Sequence, residues 1–107
     1  MGKYNNKKIA VDGIIFDSKK EAARYSELKI LLKAGLIFDL ELQPVYEIQP
    51  SYKRQGKTVR AIKYLADFRY KENGKMVVED VKGFKTDMYK LKKKLVEYKF
   101  DVIIKEL

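Results

Sequence analysis

The chain has 107 residues, enough for one hydrophobic core and too few for a second. It carries 24 Lys and Arg against 15 Asp and Glu, a formal charge of +9, which suits a polyanionic partner such as nucleic acid as well as plain solubility. With no Cys and no His, disulfides, zinc–thiolate sites, zinc fingers and any histidine-based triad are excluded, so catalysis would fall to carboxylates, Lys, Tyr or a hard metal. Apolar runs are only a few residues long, so neither a signal peptide nor a membrane span is expected. The expectation is one domain over residues 1–107, in the cytoplasm and away from membranes.

In chain order, Lys8 to Phe16 reads as a small hairpin turning at Asp12-Gly13. Ser18 offers an N-cap, and Lys19 to Ala34 reads as a helix burying Ala22, Tyr25, Leu28 and Leu32, closed by Gly35. Leu36 to Ile48 reads as one bent strand or two short ones, and Gln49 to Thr58 as a surface loop. Val59 to Tyr70 and Met76 to Lys82 read as two strands joined at Asn73-Gly74. Gly83 breaks the second strand. Thr86 to Tyr98 reads as a helix with a narrow apolar seam of Met88, Leu91, Leu95 and Tyr98, either core or interface. Asp101 to Leu107 reads as a short final strand. The order gives an α/β fold with a central mixed sheet.

The hairpin from Tyr64 to Gly83 carries the most chemistry. A two-residue type I′ turn at Asn73-Gly74 sets Glu72 opposite Lys75, Tyr70 opposite Val77, Phe68 opposite Glu79, and Asp67 opposite Asp80. Opposed residues share a face, and alternation adds Lys82 to the face of Asp80, with Phe68, Val77 and Val81 on the other. Two opposed carboxylates repel unless a cation sits between them. Mg²⁺ or Mn²⁺ meets that need, takes oxygen ligands and leaves positions for a phosphate. Lys82 would stabilise negative charge developing on that phosphate or orient the attacking water. Glu79 is the alternative to Asp80, since a bulge would exchange them.

An Asp followed by a turn and then an acidic-x-Lys triplet, here Asp67 and Asp80-Val81-Lys82, resembles the motif of the PD-(D/E)XK nucleases. The proline that often precedes the motif Asp is Ala66 here, and the triplet opens with Asp rather than the more frequent Glu. The stretches VDGIIFDSKKEAARYSEL, LELQPVYEI, YLADFRY and VVEDVKG also resemble a phage-encoded family, domain of unknown function 1064, over nearly the whole length. The arrangement is similar to that of phage junction-resolving endonucleases.

The resemblance implies a single restriction-endonuclease-like domain, its sheet flanked by helices, that hydrolyses DNA phosphodiester bonds, with Holliday junctions among the substrates. It implies Glu21, Asp67 and Asp80 as metal ligands for Mg²⁺ or Mn²⁺, and Lys82 as the fourth catalytic residue. It also implies a phage or prophage protein serving DNA recombination or packaging.

Glu21 has a structural alternative, because Ser18 and Glu21 have capping-box spacing. Gln43 would contact the site or a phosphate, or else bond neighbouring backbone. Lys85, Lys90, Lys93 and Lys94 would track a DNA backbone or form a solvated helix face. Lys53, Arg54, Lys57 and Arg60 form a similar group, and Tyr52 would stack on a base or cover the loop. Lys82-Gly83-Phe84 begins like the RNP1 motif, but the continuation departs from it. Two rival readings are a non-catalytic nucleic-acid-binding module and a phage protein with an acidic protein partner. A homodimer would make cutting two strands easier.

Overall fold

Three pairs of residues adopt left-handed backbone together: Asp12-Gly13, Gln55-Gly56 and Asn73-Gly74 (φ 53–54° at the first residue, 76° at each Gly). Two successive positive φ angles define the type I′ turn, whose twist matches the strands it joins. Each closes a hairpin in the computed structural model, which describes residues 8–107. The described residues form β1 (Ile9–Val11), β2 (Ile14–Phe16), α1 (Lys19–Lys33), β3 (Phe38–Leu42), β4 (Val45–Gln49), β5 (Tyr52–Arg54), β6 (Lys57–Val59), β7 (Ile62–Leu65), β8 (Phe68–Glu72), β9 (Lys75–Asp80), α2 (Asp87–Phe100) and β10 (Ile104–Glu106).

Four strands make a mixed sheet in the order β10-β9-β8-β3, antiparallel except for the parallel pairing of β9 with β10. The other six form three two-stranded pieces, β1-β2, β4-β7 and β5-β6. The expected mixed α/β class therefore holds, while the single central sheet is corrected to one four-stranded sheet with separate hairpins. The β8-β9 register is the one expected from the Asn-Gly turn, with Phe68 opposite Glu79 and Tyr70 opposite Val77. The strand expected to reach Lys82 stops at Asp80.

The strand expected from Val59 to Tyr70 is three strands, and the loop expected from Gln49 to Thr58 is mostly the β5-β6 ribbon. One cause is Pro50, which has no N–H to give to a ladder, so pairing lapses beside it. Another is a bulge where Glu47 pairs with Lys63 but Gln49 with Ile62.

The sheet buries two different faces. Phe68 and Tyr70 pack with Phe16, Ala22, Tyr25 and Leu28, the face covered by α1. Val78 packs with Ile104, Tyr46, Tyr64, Tyr89 and Val96, the face covered by α2 and the β4-β7 piece. The α1 N-terminus is capped by the Ser18 hydroxyl, and its end is closed by bonds from Gly35 to the Leu32 carbonyl and from Leu36 to the Leu31 carbonyl. Gly35 is the left-handed residue just past the Ala34 cap, two places beyond the last helical residue.

The apolar seam expected on the second helix lies outside. Met88, Leu91, Leu95 and Tyr98 are exposed, and α2 instead buries Tyr89 and Val96. Lys99 explains the rotation, donating to the carbonyls of Glu47 and Ile48, while Lys92 donates to that of Lys63. These bonds lay the lysine stems along β4 and β7 and turn the seam away.

One buried ion pair ties α1 to the sheet. Glu79 is fully buried, and the Arg24 guanidinium meets it with two parallel bonds of 2.8 and 2.6 Å; the Tyr70 hydroxyl donates to it as well. Burial alone would raise the Glu79 pKa, but Arg24 and Tyr70 outweigh it and hold the carboxyl below its ordinary value. Removing one partner of a buried pair strands the other charge, so Arg24→Met is expected to lose about 3 kcal/mol in urea unfolding, with Arg24→Lys recovering only part because the fork is gone. A loss under ~1 kcal/mol would show that water reaches Glu79 in the variant.

Candidate functional site

The end of the β8-β9 ladder is fastened by Asp67. This residue stands just before β8; its amide donates to the Glu79 carbonyl (3.1 Å), and its carboxylate Oδ2 accepts from the Val81 amide (2.7 Å). The side chain thus bonds the backbone between Asp80 and Lys82. On its other side, the Gln43 amide donates to the Asp67 carbonyl at 2.9 Å. Gln43 lies at the kink between β3 and β4 with a left-handed backbone (φ 51°), a conformation that costs a side chain with a Cβ.

A cleft of about 210 Å³ opens at this junction, lined by Asp17, Glu21, Gln43 and Asp67 between walls that include Phe16 and Leu42. Larger hollows lie against the outer surface of α1 at Ile30, beside α2 at Tyr98, and between α1 and Val81; the first two have no carboxylate in their lining and the third has Glu27. The Glu21 amide is bonded to Ser18 at 3.1 Å, but among the described residues no bond returns from its carboxylate to the Ser18 amide. The capping box is half formed, which leaves that carboxylate facing the cleft. Burial, then the nearby charges of Asp67 and Asp17, push the Glu21 carboxyl up to about 7, against the pull of Lys82. Burial likewise raises the Asp67 pKa, opposed by the Val81 amide and Lys82.

Asp80 is fully buried, and neither of its carboxylate oxygens has a hydrogen-bond partner. The nearest described cation is the Lys82 ammonium, 4.0 Å from Oδ1. Burial pushes the Asp80 carboxyl up to about 6 despite Lys82 and the Asp67 amide, with Glu106 adding to the rise. Lys82 also lies over the Tyr89 ring, 5.0 Å from its centroid, and the Tyr89 hydroxyl donates to Glu106 at 2.8 Å. A buried carboxylate without a donor is costly, and a divalent cation with oxygen ligands is one species that would satisfy it. Among the described residues, no three Asp, Glu, His or Cys side chains converge tightly enough to enclose an ion by themselves.

Glu79, the alternative to Asp80, points to the α1 face and is engaged by Arg24 and Tyr70. Gln43 does line the cleft. Of the basic residues expected to meet nucleic acid, Lys85 pairs with Glu106 at 3.1 Å and Lys93 sits within 4 Å of Glu97 and Glu106. Lys90 and Lys94 are exposed on α2, and Arg54 and Lys57 oppose each other at the β5-β6 turn. Three contributors escaped the sequence reading. Asp17 carries the weak signal of preceding the N-cap, Arg24 is one helical turn from Glu21, and Tyr89 carries none.

Glu21 and Asp80 both hold protons more tightly folded than unfolded, so their contribution is favourable at low pH and is lost as pH rises through about 6 and about 7. Without metal, the Glu21→Gln/Asp80→Asn protein should therefore gain Tm relative to wild type between pH 5 and pH 8. A Tm difference constant across that range, by scanning calorimetry, would sink this account. Gln43→Gly should relieve the left-handed backbone, raising stability by up to about 1 kcal/mol in urea unfolding, and a loss would mean that the side chain's cleft contacts outweigh the strain.

No helix among the described residues is long and apolar enough to cross a membrane. No curated protein matches the sequence significantly. Residues 1–106 match the model of a family described as a protein of unknown function (DUF1064), and the chain belongs to that family.

Proposed function

We propose that this chain is a metal-dependent DNA endonuclease of the PD-(D/E)XK superfamily with a restriction-endonuclease-like fold, using Glu21, Asp67, Asp80 and Lys82. The observation that carries this reading is the Asp80 carboxylate: fully buried, with neither oxygen hydrogen-bonded, 4.0 Å from Lys82 and adjacent in sequence to Val81, whose amide is bonded by the cleft residue Asp67. Both the chain's lack of His and Cys and this oxygen-only set favour Mg²⁺ or Mn²⁺ over softer ions. Asp80 and Asp67 would hold the ion with Glu21 assisting, and water and a substrate phosphate would fill the rest of the shell. Such an ion supplies Lewis acidity and an activated water at neutral pH.

The chain's own groups divide the remaining work. Asp67 keeps Oδ2 on the Val81 amide, which fixes the backbone that carries Asp80 and Lys82. Lys82 balances negative charge gathering on the phosphate, and its ammonium is held over the Tyr89 ring. Glu21 lines the cleft beside Asp67, where its carboxylate would assist in holding the ion. The substrate would be DNA, with branched junctions of the kind met in phage recombination in the host cytoplasm. A homodimer would bring two such sites to the two strands.

The test is cleavage of a fluorescent four-way junction and a matched linear duplex in Mg²⁺ or Mn²⁺. Wild type should cut, Asp80→Asn and Lys82→Ala should lose about 100-fold or more, and EDTA should abolish cutting. Metal-independent cutting, or full activity in Asp80→Asn, would overturn the site. Binding without cutting in either metal would make the protein a nucleic-acid-binding module. Neither binding nor cutting by folded protein would point to an acidic protein partner.

A further inference from the structure

The β4-β7 piece and the β5-β6 ribbon form one long hairpin. Asp67 and Gln43 are bonded at its base, Ala66 donates to Pro44, and the ladder runs out through Tyr46 opposite Tyr64. After the bulge Gln49 opposes Ile62; three residues further along each strand, Tyr52 opposes Val59, and the offset is unchanged to Arg54 and Lys57 at the turn. About 11 residues per strand at ~3.3 Å each give an arm up to ~35 Å long, starting at the cleft. The shape of the molecule agrees: its radius of gyration is 16.1 Å, where a compact chain of this length has about 13 Å.

The outer part of this arm has unusual chemistry. From Ile48 to Ala66 there is no Asp or Glu, against five basic residues: Lys53, Arg54, Lys57, Arg60 and Lys63. Residues 51–58 are all exposed, and among the described residues no helix or other strand packs closely on the ribbon. Among the described residues no carboxylate pairs with Lys53, Arg54, Lys57 or Arg60, whereas Lys85 and Lys93 are matched to Glu106 and Glu97. Alternation puts Tyr52, Arg54 and Lys57 on one face of the ribbon, the guanidinium over the Tyr52 ring at 5.6 Å.

We infer that this arm is a duplex-gripping element whose tip contacts phosphates about one helical turn away from the cleft. The inference rests on the nuclease reading for the identity of the polyanion. A two-stranded ribbon fits a duplex groove, and one turn of B-DNA, about 34 Å, matches the arm's reach. The unneutralised charge supplies affinity through counterion release. An acidic protein surface would use the same charge but has no reason to require a fixed length of partner.

The experiment is fluorescence anisotropy in EDTA, so that cutting plays no part, with labelled 10- and 24-base-pair duplexes across a salt series. The proteins are wild type, the tip variant Arg54→Ala/Lys57→Ala and the charge-matched Lys29→Ala/Lys33→Ala on the outside of α1. Wild type should bind the long duplex more tightly than the short one. The tip variant should lose that difference, bind the long duplex about 10-fold or more weakly, and lower the salt slope by roughly 2, while the α1 variant stays close to wild type. An unchanged salt slope in the tip variant, equal loss in the α1 variant, no duplex binding by wild type, or equally strong competition by polyglutamate would each overturn the arm's assignment. If the tip variant loses binding but wild type never cuts in Mg²⁺, the nuclease reading falls and the arm stands.

Discussion

Two consecutive carboxylates buried on one strand govern the architecture. Neighbours on a strand point to opposite faces, so Glu79 and Asp80 enter different surroundings although both are fully buried. Toward α1, Glu79 is neutralised within the chain by the Arg24 fork and the Tyr70 hydroxyl. Toward α2, Asp80 has only the more distant Lys82 ammonium. Burying a charge is tolerable when it is paired and bonded, and Glu79 meets that condition while Asp80 does not. The fold is stabilised around the first carboxylate and left unsatisfied at the second. Helix α1 is held in place through Arg24, which in turn brings Glu21 to the cleft.

The surrounding residues keep the unsatisfied group in position. Asp67 spends one oxygen on the Val81 amide, and Gln43 holds Asp67 through the backbone across a strained kink. Tyr89 supports Lys82 from beneath and is fixed by Glu106. Such support does not lower the cost of burying Asp80; it prevents the carboxylate from relaxing into water. The raised pKa values of Glu21, Asp67 and Asp80 report the same condition, with burial leading the causes in all three.

Much of this was legible where a local rule acts alone. The Asn73-Gly74 turn admits one register, and that register places Glu79 and Asp80 on different faces without further information. The Ser18 cap and the Gly35 stop bound α1 for the same reason. The ribbon is hidden in the sequence because Gln55 is not a residue expected in left-handed backbone and Pro50 interrupts the strand pattern. The second helix was legible in extent but not in orientation: its apolar seam competes with lysines whose stems pack and whose ammonium groups bond β4 and β7 carbonyls. Arg24 and Tyr89 could not be read at all, since their roles depend on contacts across 55 residues in one case and on the placement of the second helix in the other.

The parallel strand β10 closes the edge beside Asp80, with Glu106 opposite Asp80 and the Leu107 amide bonded to the Asp80 carbonyl. Antiparallel hairpins with two-residue turns close cheaply, whereas this pairing needs the whole of α2 to cross first. The backbone pairing at Asp80 thus joins strands separated in sequence by a whole helix, unlike the hairpins. Because β10 is an outer strand of the four-stranded sheet, the backbone pairing at Asp80 also has no further strand beyond it.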